Sequence, residues 1–162
     1  MVRGVVITVS DRCAAGLAAD RSGPLLVRAL NEAGHTAASR VIPDGEESVA
    51  DALREAIAAG ARLVLTTGGT GVAPRDRTPE GTRAVIDREL PGVAELLRAA
   101  GAAVSAHAAL SRGIAGVVDA AGECRGAFVV NLPGSPAAVR DGIPIVLALA
   151  EHVLAQLEGG DH

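Results

Sequence analysis

The sequence contains no lysine, tryptophan or tyrosine, and Phe128 is its only aromatic residue. The absence of lysine excludes reactions that need a lysine nucleophile or Schiff base, and it excludes the phosphate-binding lysine of a P-loop. The near absence of aromatic rings excludes the stacking platforms that bind single-stranded nucleic acid. A net charge of −4 also disfavours binding to a phosphate backbone. We therefore expect no nucleic-acid partner.

Cysteines and long apolar runs are scarce as well. Cys13 and Cys124 are too few for a disulfide framework, and no pair of cysteines or histidines has metal-ligand spacing. No apolar run reaches the ~18 residues of a transmembrane helix, and the first residues lack the features of a cleaved signal peptide. These absences predict a cytoplasmic protein without a membrane partner. The length of 162 residues fits one domain over 1–162, with 158–162 as a frayed tail.

Apolar segments of strand length alternate with segments of helical period. The predicted strands are Val5–Val9, Ala37–Ile42, Leu63–Thr67 and Ala127–Leu132. The predicted helices are Gly23–Ala33 with Ser22 as N-cap, Glu46–Ala59, Pro79–Leu90, Gly92–Ala100, and Pro136 to Leu157 with a kink or break near Gly142–Pro144. The alternation predicts an α/β fold, a three-layer α/β/α sandwich with a mostly parallel sheet.

Polar or glycine-rich residues follow each predicted strand. The clusters are Ser10-Asp11-Arg12, Pro43-Asp44-Gly45, the segment 66–80, and Asn131–Ser135. If the strands are parallel, all four clusters lie at the sheet edge where open α/β folds bind ligands. An ordinary turn explains any one cluster. The convergence of four favours a ligand site.

The segment 68–80 combines a glycine loop with a carboxylate. Gly68-Gly69-Thr70-Gly71 can point backbone amides at an anion. It is neither a Walker A motif, because no lysine follows, nor a dinucleotide fingerprint, because Pro74 occupies the third glycine position. The loop alone is a weak signal.

Two aspartates precede predicted helices at this edge. Thr78-Pro79 predicts a helix start with Thr78 as N-cap and Asp76 just ahead of it, and Asp44 precedes the helix that starts near Glu46. The helix dipoles should keep both carboxylates ionised, and such a pair suits Mg²⁺. The alternative is that both are only capping residues. Ser111 and Arg112 offer a hydroxyl and a guanidinium to a phosphate, although the tripeptide they begin is also a common loop.

Taken together, these motifs resemble the molybdopterin adenylyltransferase family of Mog or MoaB type and the G domain of gephyrin. The resemblance runs from Val5 to about Leu154, and its most specific part is the glycine loop followed by Asp76-Arg77-Thr78-Pro79-Glu80 and the later Leu132-Pro133-Gly134. It implies a sheet with one strand antiparallel to the rest, and a homotrimer. It further implies that ATP and molybdopterin are substrates, Mg²⁺ is the cofactor, and the product passes to a molybdate-inserting enzyme.

The resemblance also implies residue roles. It makes Asp44 and Asp76 catalytic, and both are candidate Mg²⁺ ligands. Predicted contacts to ATP or molybdopterin are Ser10, Asp11, Asp20, Ser22, Gly23, Gly68, Gly69, Thr70, Gly71, Thr78, Ser111, Arg112, Asn131, Pro133, Gly134 and Ser135. Two alternatives stay open, namely a non-catalytic molybdopterin-binding scaffold and a different enzyme acting on phosphate ligands.

Overall fold

The computed structural model describes residues 1–160. The strands are β1 (Arg3–Val9), β2 (Thr36–Ile42), β3 (Leu63–Thr67), β4 (Arg88–Glu89), β5 (Ala115–Val118) and β6 (Ala127–Leu132). The helices are α1 (Asp11–Ala14), α2 (Gly23–Glu32), α3 (Glu46–Ala58), α4 (Thr78–Arg83), α5 (Pro91–Ala102) and α6 (Pro136–Leu157), and a 3₁₀ helix spans Ala106–Leu110. No helix within 1–160 is long and apolar enough to cross a membrane.

The sheet has six strands in the order β2-β1-β3-β6-β5-β4. Strands β1, β2, β3 and β6 run parallel, and β5 runs antiparallel to β6. Strand β4 is antiparallel to β5 and therefore has the direction of the parallel set. This agrees with the expected mostly parallel sheet with one reversed strand.

Each face of the sheet packs against its own helices, because successive side chains of a strand point to opposite faces. Val6, Leu65 and Phe128 pack with residues of α2 and α6. Ile7 and Val64 pack with α3 on the other face. The three-layer α/β/α sandwich is confirmed.

The predicted helix Pro79–Leu90 is wrong in its second half. Helix α4 ends at Arg83, and Arg88–Glu89 forms an edge strand. The Asp87 amide donates to the Val117 carbonyl at 2.9 Å, and the Leu90 amide donates to the Ala115 carbonyl at 2.7 Å. These hydrogen bonds to β5 outweigh the local helical preference of the segment.

The last helix also differs from expectation near its middle. Helix α6 runs through Pro144 without a break. The fraying expected at 158–162 stays a prediction. In the structure Arg62 and Arg125 bind the Glu158 carboxylate, and the Gly160 amide donates to the Ala155 carbonyl at 3.0 Å. Residues 161 and 162 lie outside the described part of the chain.

Candidate active site

The four polar clusters meet at the carboxyl ends of the parallel strands. The Ser10 amide donates to the Ile42 carbonyl at 2.9 Å, which joins the ends of β1 and β2. The Gly68 amide donates to the Leu132 carbonyl at 3.1 Å, and a Cβ on Gly134 would lie 3.2 Å from the Gly68 Cα. The clusters therefore surround one site at one edge of the sheet.

The glycine loop after β3 requires glycine at its first two positions. Gly68 has φ 102° and Gly69 has φ 64°, both in the left-handed region. A Cβ on Gly68 would lie 2.3 Å from the Val9 carbonyl oxygen. The Thr78 hydroxyl donates to the Gly68 carbonyl at 2.9 Å, and the Thr78 amide donates to the Gly69 carbonyl at 3.1 Å. Thr78 thus fixes the loop instead of acting as the helix N-cap, a position taken by Arg77.

Four successive backbone amides in this loop are unpaired. The amides of Gly69, Thr70, Gly71 and Val72 donate to no acceptor within residues 1–160. Unpaired amides are costly where water is excluded, and Thr70 is buried. A run of such amides in a tight loop can form a concave anion-binding surface.

Arg112 holds the opposite side of the loop. Its amide donates to the Thr70 carbonyl at 2.8 Å, and its guanidinium donates to the carbonyls of Gly71 (2.7 Å) and Asp76 (2.6 Å). The same guanidinium donates to Glu80 at 2.5 Å and lowers the pKa of that carboxyl. The donors expected to bind a phosphate are therefore largely used to shape the loop.

Asp44 brings a carboxylate oxygen to the glycine loop. Its Oδ2 accepts a hydrogen bond from the Asp11 amide at 2.8 Å, whereas Oδ1 accepts none from residues 1–160. A Cβ on Gly69 would lie 3.1 Å from Oδ1. Burial raises the pKa of Asp44, and the negative charges of Asp11 and Asp76 raise it further. The shift is opposite to the one expected from the helix dipole, because desolvation is the larger effect.

Asp76 lies on the neighbouring side of the loop. Its Oδ2 accepts from the Ala73 amide at 3.0 Å and would lie 2.8 Å from a Cβ on Gly71. No group of three or more Asp, Glu, His or Cys side chains within residues 1–160 forms a metal site. Mg²⁺ commonly uses only one or two carboxylates plus substrate phosphates and water. The donor chemistry of Asp44 and Asp76 beside the loop fits such an ion.

The Asp20 segment closes another side of the site. Asp20 Oδ1 accepts from the amides of Ser22 (3.1 Å) and Gly23 (2.9 Å), and Oδ2 accepts from the Thr8 hydroxyl at 2.7 Å. Ser22 makes no side-chain cap of α2, and its hydroxyl donates to the Gly134 carbonyl at 2.6 Å. Ser22 therefore occupies the predicted N-cap position, but the Asp20 carboxylate accepts the first amides of the helix in place of the Ser22 hydroxyl.

Asn131 is buried beneath the site. Its Nδ2 donates to the hydroxyls of Thr66 and Thr82, each at 2.9 Å, and its Oδ1 accepts from the Ile114 amide at 3.2 Å. Asn131 is only 3% exposed, and its hydrogen bonds link β3, α4 and β6. The side chain has a structural role here, and its contact with substrate remains a prediction.

Three other predicted residues lie in loops around the same edge. The Ser135 hydroxyl accepts from the Ala138 amide at 3.2 Å and caps α6. The Pro133 carbonyl accepts from the Thr67 hydroxyl at 2.8 Å, and the Ser111 hydroxyl accepts from the Gly113 amide at 3.3 Å. Their contacts with substrate also remain predictions.

Two open clefts flank the glycine loop. One, with a volume of about 270 Å³, lies between the end of β1, the Asp20 segment and Gly134. The other, of about 560 Å³, lies along residues 44–48 and Arg75. A larger cavity of about 890 Å³ lies at the opposite edge of the sheet, around Arg3 and Gly126. The larger cavity is not the candidate site, because the unpaired amides and the clustered carboxylates lie at the carboxyl ends of the strands.

A family described as a probable molybdopterin binding domain matches residues 5–152. The chain belongs to this family. The predicted resemblance is confirmed, and the match includes every strand end that builds the site.

Curated relatives match nearly the whole of this chain. It is 40% identical to the molybdopterin adenylyltransferase of Pyrococcus furiosus over 150 residues, which are 92% of this chain and 87% of the relative. It is 42% identical over 162 residues to the molybdenum cofactor biosynthesis bifunctional protein of Synechococcus elongatus, of which it covers 49%. The chain thus spans about half the length of that bifunctional relative.

Solved structures have the same fold. The molybdopterin biosynthesis enzyme MoaB from Thermus thermophilus superimposes with a TM-score of 0.85 at 41% identity, covering 98% of each chain. A structure of MogA gives a TM-score of 0.88 at 37% identity, covering 96% of this chain and 99% of that chain.

Two threonines outside the predicted set of contact residues organise the site. The Thr8 hydroxyl donates to Asp20, and the Thr67 hydroxyl donates to the Pro133 carbonyl. Both threonines are buried. Their only signal is a polar residue at the end of an otherwise apolar strand.

Proposed function

We propose that the protein is a molybdopterin adenylyltransferase that transfers AMP from ATP to the terminal phosphate of molybdopterin and releases pyrophosphate. The observation that carries the proposal is the row of unpaired amides at residues 69–72 beside the free Asp44 Oδ1. The name of the Pyrococcus furiosus relative supports this reaction. The curated names favour an enzyme over a non-catalytic scaffold.

The reaction brings two anionic groups together. An oxygen of the molybdopterin phosphate forms a bond to the α-phosphorus of ATP, while the bond from that phosphorus to the bridging oxygen breaks and pyrophosphate leaves. A phosphate with a second pKa of about 6 is largely ionised at neutral pH, so the attacking oxygen needs no general base. Charge compensation and alignment are the main requirements.

The chain supplies part of this compensation through its backbone. The amides of residues 69–72 donate to a phosphate, and Arg112 holds the loop so that these amides stay aligned before substrate arrives. Preorganised donors of this kind stabilise developing charge at little reorganisation cost. Asp44 and Asp76 would hold Mg²⁺, which would neutralise phosphate charge.

The remaining features of the proposal concern the protein's setting. We place it in the cytoplasm, where its two free cysteines stay reduced. We expect a homotrimer, to be measured by sedimentation. We also propose that the product passes to a molybdate-inserting enzyme. The name of the bifunctional relative supports only a second, linked activity in molybdenum cofactor biosynthesis.

The test mixes the purified protein with ATP, Mg²⁺ and molybdopterin and measures pyrophosphate. Release should require all three and should match the adenylylated molybdopterin found by mass spectrometry. Binding of molybdopterin without pyrophosphate would instead support the scaffold. Pyrophosphate release that does not depend on molybdopterin would support a different phosphate-ligand enzyme.

A further inference from the structure

Arg75 joins three of the strand-end loops. Its Nε donates to Asp11 Oδ2 at 2.7 Å and its Nη2 donates to Asp11 Oδ1 at 2.9 Å, so the guanidinium grips both carboxylate oxygens. The same Nη2 donates to the Asp44 carbonyl at 2.6 Å. One side chain from the glycine-loop segment thereby binds the loop after β1 and the loop after β2.

Asp11 and Asp44 are also bonded directly to each other. The Asp44 amide donates to Asp11 Oδ1 at 3.0 Å, and the Asp11 amide donates to Asp44 Oδ2 at 2.8 Å. This reciprocal pair fixes the rotation of the Asp44 carboxyl. Its Oδ2 faces Asp11, and its Oδ1 is left beside Gly69.

We propose that Arg75 is a positioning residue that acts through Asp11 to aim the Asp44 carboxylate at the glycine loop. The proposal rests on the proposed function and deepens it. A group that must be aligned to within a fraction of an ångström is sensitive to the residues that lock it. Asp11, which the sequence predicts to contact substrate, belongs to the same hydrogen-bond network.

Two observations separate positioning from direct substrate binding and from general stability. Only Nη1 of Arg75 lacks an acceptor within residues 1–160, and the charge of the guanidinium is compensated by Asp11. The side chains of Arg75 and Asp11 are 62% and 44% exposed, and ion pairs this exposed add little to folding stability. Loss of Arg75 should therefore reduce turnover in a protein that remains folded.

The test compares Arg75→Ala and Arg75→Lys with a matched control, Arg88→Ala. Arg88 also binds one aspartate, Asp119, through Nε and Nη2, with side-chain exposures of 63% and 48%, at the far edge of the sheet. We expect kcat of Arg75→Ala to fall by roughly 10- to 100-fold with KM for ATP and molybdopterin nearly unchanged. Arg75→Lys should recover part of the loss, because it keeps the charge without the two-pronged geometry. Arg88→Ala should keep wild-type kcat.

A second measurement is independent of catalysis. Hydrogen exchange of the Asp11 and Asp44 amides, followed by NMR in the substrate-free protein, should be faster in Arg75→Ala and unchanged in Arg88→Ala. Asp11→Asn combined with Arg75→Ala should cost much less than the product of the two single losses, since both act through one device.

Several outcomes would overturn the proposal. One is a rise in KM with kcat and amide exchange unchanged, which would make Arg75 a substrate contact. Another is additive losses in the double variant. If the wild type forms no adenylylated product, the proposed function fails. The amide-exchange result then still decides whether Arg75 holds Asp44.

Discussion

The two carboxylate oxygens of Asp44 have different surroundings at the site. One carboxylate oxygen is fixed by the Asp11 amide, and the other is free beside the glycine loop. Burial raises its pKa, which reflects the cost of keeping a charge there without a cation. A divalent cation bound beside it would offset that cost.

Replacement of Asp44 tests this role. Asp44→Ala should fold and bind molybdopterin with an unchanged Kd, while turnover falls by more than about 100-fold because a principal charged group is lost. Thermal unfolding, isothermal titration and the pyrophosphate assay check the three statements. Asp51→Ala, which removes an exposed aspartate on α3, is the control and should retain wild-type turnover. Near wild-type turnover in Asp44→Ala would remove Asp44 from the mechanism.

At the scale of elements, the glycine loop depends on glycine at position 69. Gly69 has a positive φ, and a Cβ there would lie 2.3 Å from the Thr78 hydroxyl and 3.1 Å from Asp44 Oδ1. The loop must therefore rearrange to accept any side chain at this position. Such a change would alter both the row of amides and the carboxylate beside it.

Gly69→Ala should lower turnover by about 100-fold, the scale expected when reacting groups are misplaced by about 1 Å. It should also lower the free energy of unfolding by roughly 1–3 kcal/mol, the usual cost of forced backbone strain. The control is Gly34→Ala, since Gly34 has φ 84° but nothing within 4 Å of its Cβ position. Chemical denaturation should show a modest loss of stability in Gly34→Ala. The pyrophosphate assay should show full activity for this control. Equal activities in the two variants would contradict the role of the loop.

The sequence predicted the elements whose signal is local. The buried strands β3 and β6 are mostly apolar runs of strand length, and their bounds agree with the prediction. Strand β5 was missed because Ala115-Gly116-Val117-Val118 is short and lies in an Ala- and Gly-rich stretch. Its glycine matters only through tertiary contact, since a Cβ on Gly116 would lie 2.5 Å from the Ile86 side chain.

The site was predictable as a location but not as a set of bonds. Parallel strands bring their ends to one edge, so residue order alone placed Asp44 near Gly69. The partners of Asp20, Arg112 and Asn131 depend on loops that meet only after folding. No spacing rule indicates that Arg112 binds loop carbonyls instead of remaining free for a phosphate.

At the scale of the whole molecule, ion pairs around the site link folding to pH. Arg112 lowers the pKa of Glu80, so the folded state holds the ionised form more strongly than the unfolded chain does. This stabilisation is fully present above the ordinary pKa of 4.5 and is lost as the pH falls through the lower, folded-state pKa. Arg75 also lowers the pKa of Asp11, so stability depends on the ionisation of Asp11 in the same direction as for Glu80. Burial raises the pKa of Asp44, so its ionisation changes stability in the opposite direction.

Glu80→Gln should therefore be less stable than the wild type at pH 7, by up to about 1 kcal/mol for a partly exposed pair. The two proteins should approach one another as the pH is lowered towards 3. Urea unfolding at a series of pH values measures this difference. Glu95→Gln is the control, because Glu95 is exposed and has no ion pair within residues 1–160. A Glu80→Gln difference that grows on acidification would contradict the assignment.

The most direct measurement of the central claim follows the phosphorus atom itself. The protein is incubated with Mg²⁺, molybdopterin and ATP labelled at the α-phosphate, and the label is traced in the pterin and in pyrophosphate. All transferred label should appear in molybdopterin, and none should appear there when the γ-phosphate carries the label instead. Label from the γ-phosphate in the pterin, or no transfer despite tight binding of both substrates, would contradict the account.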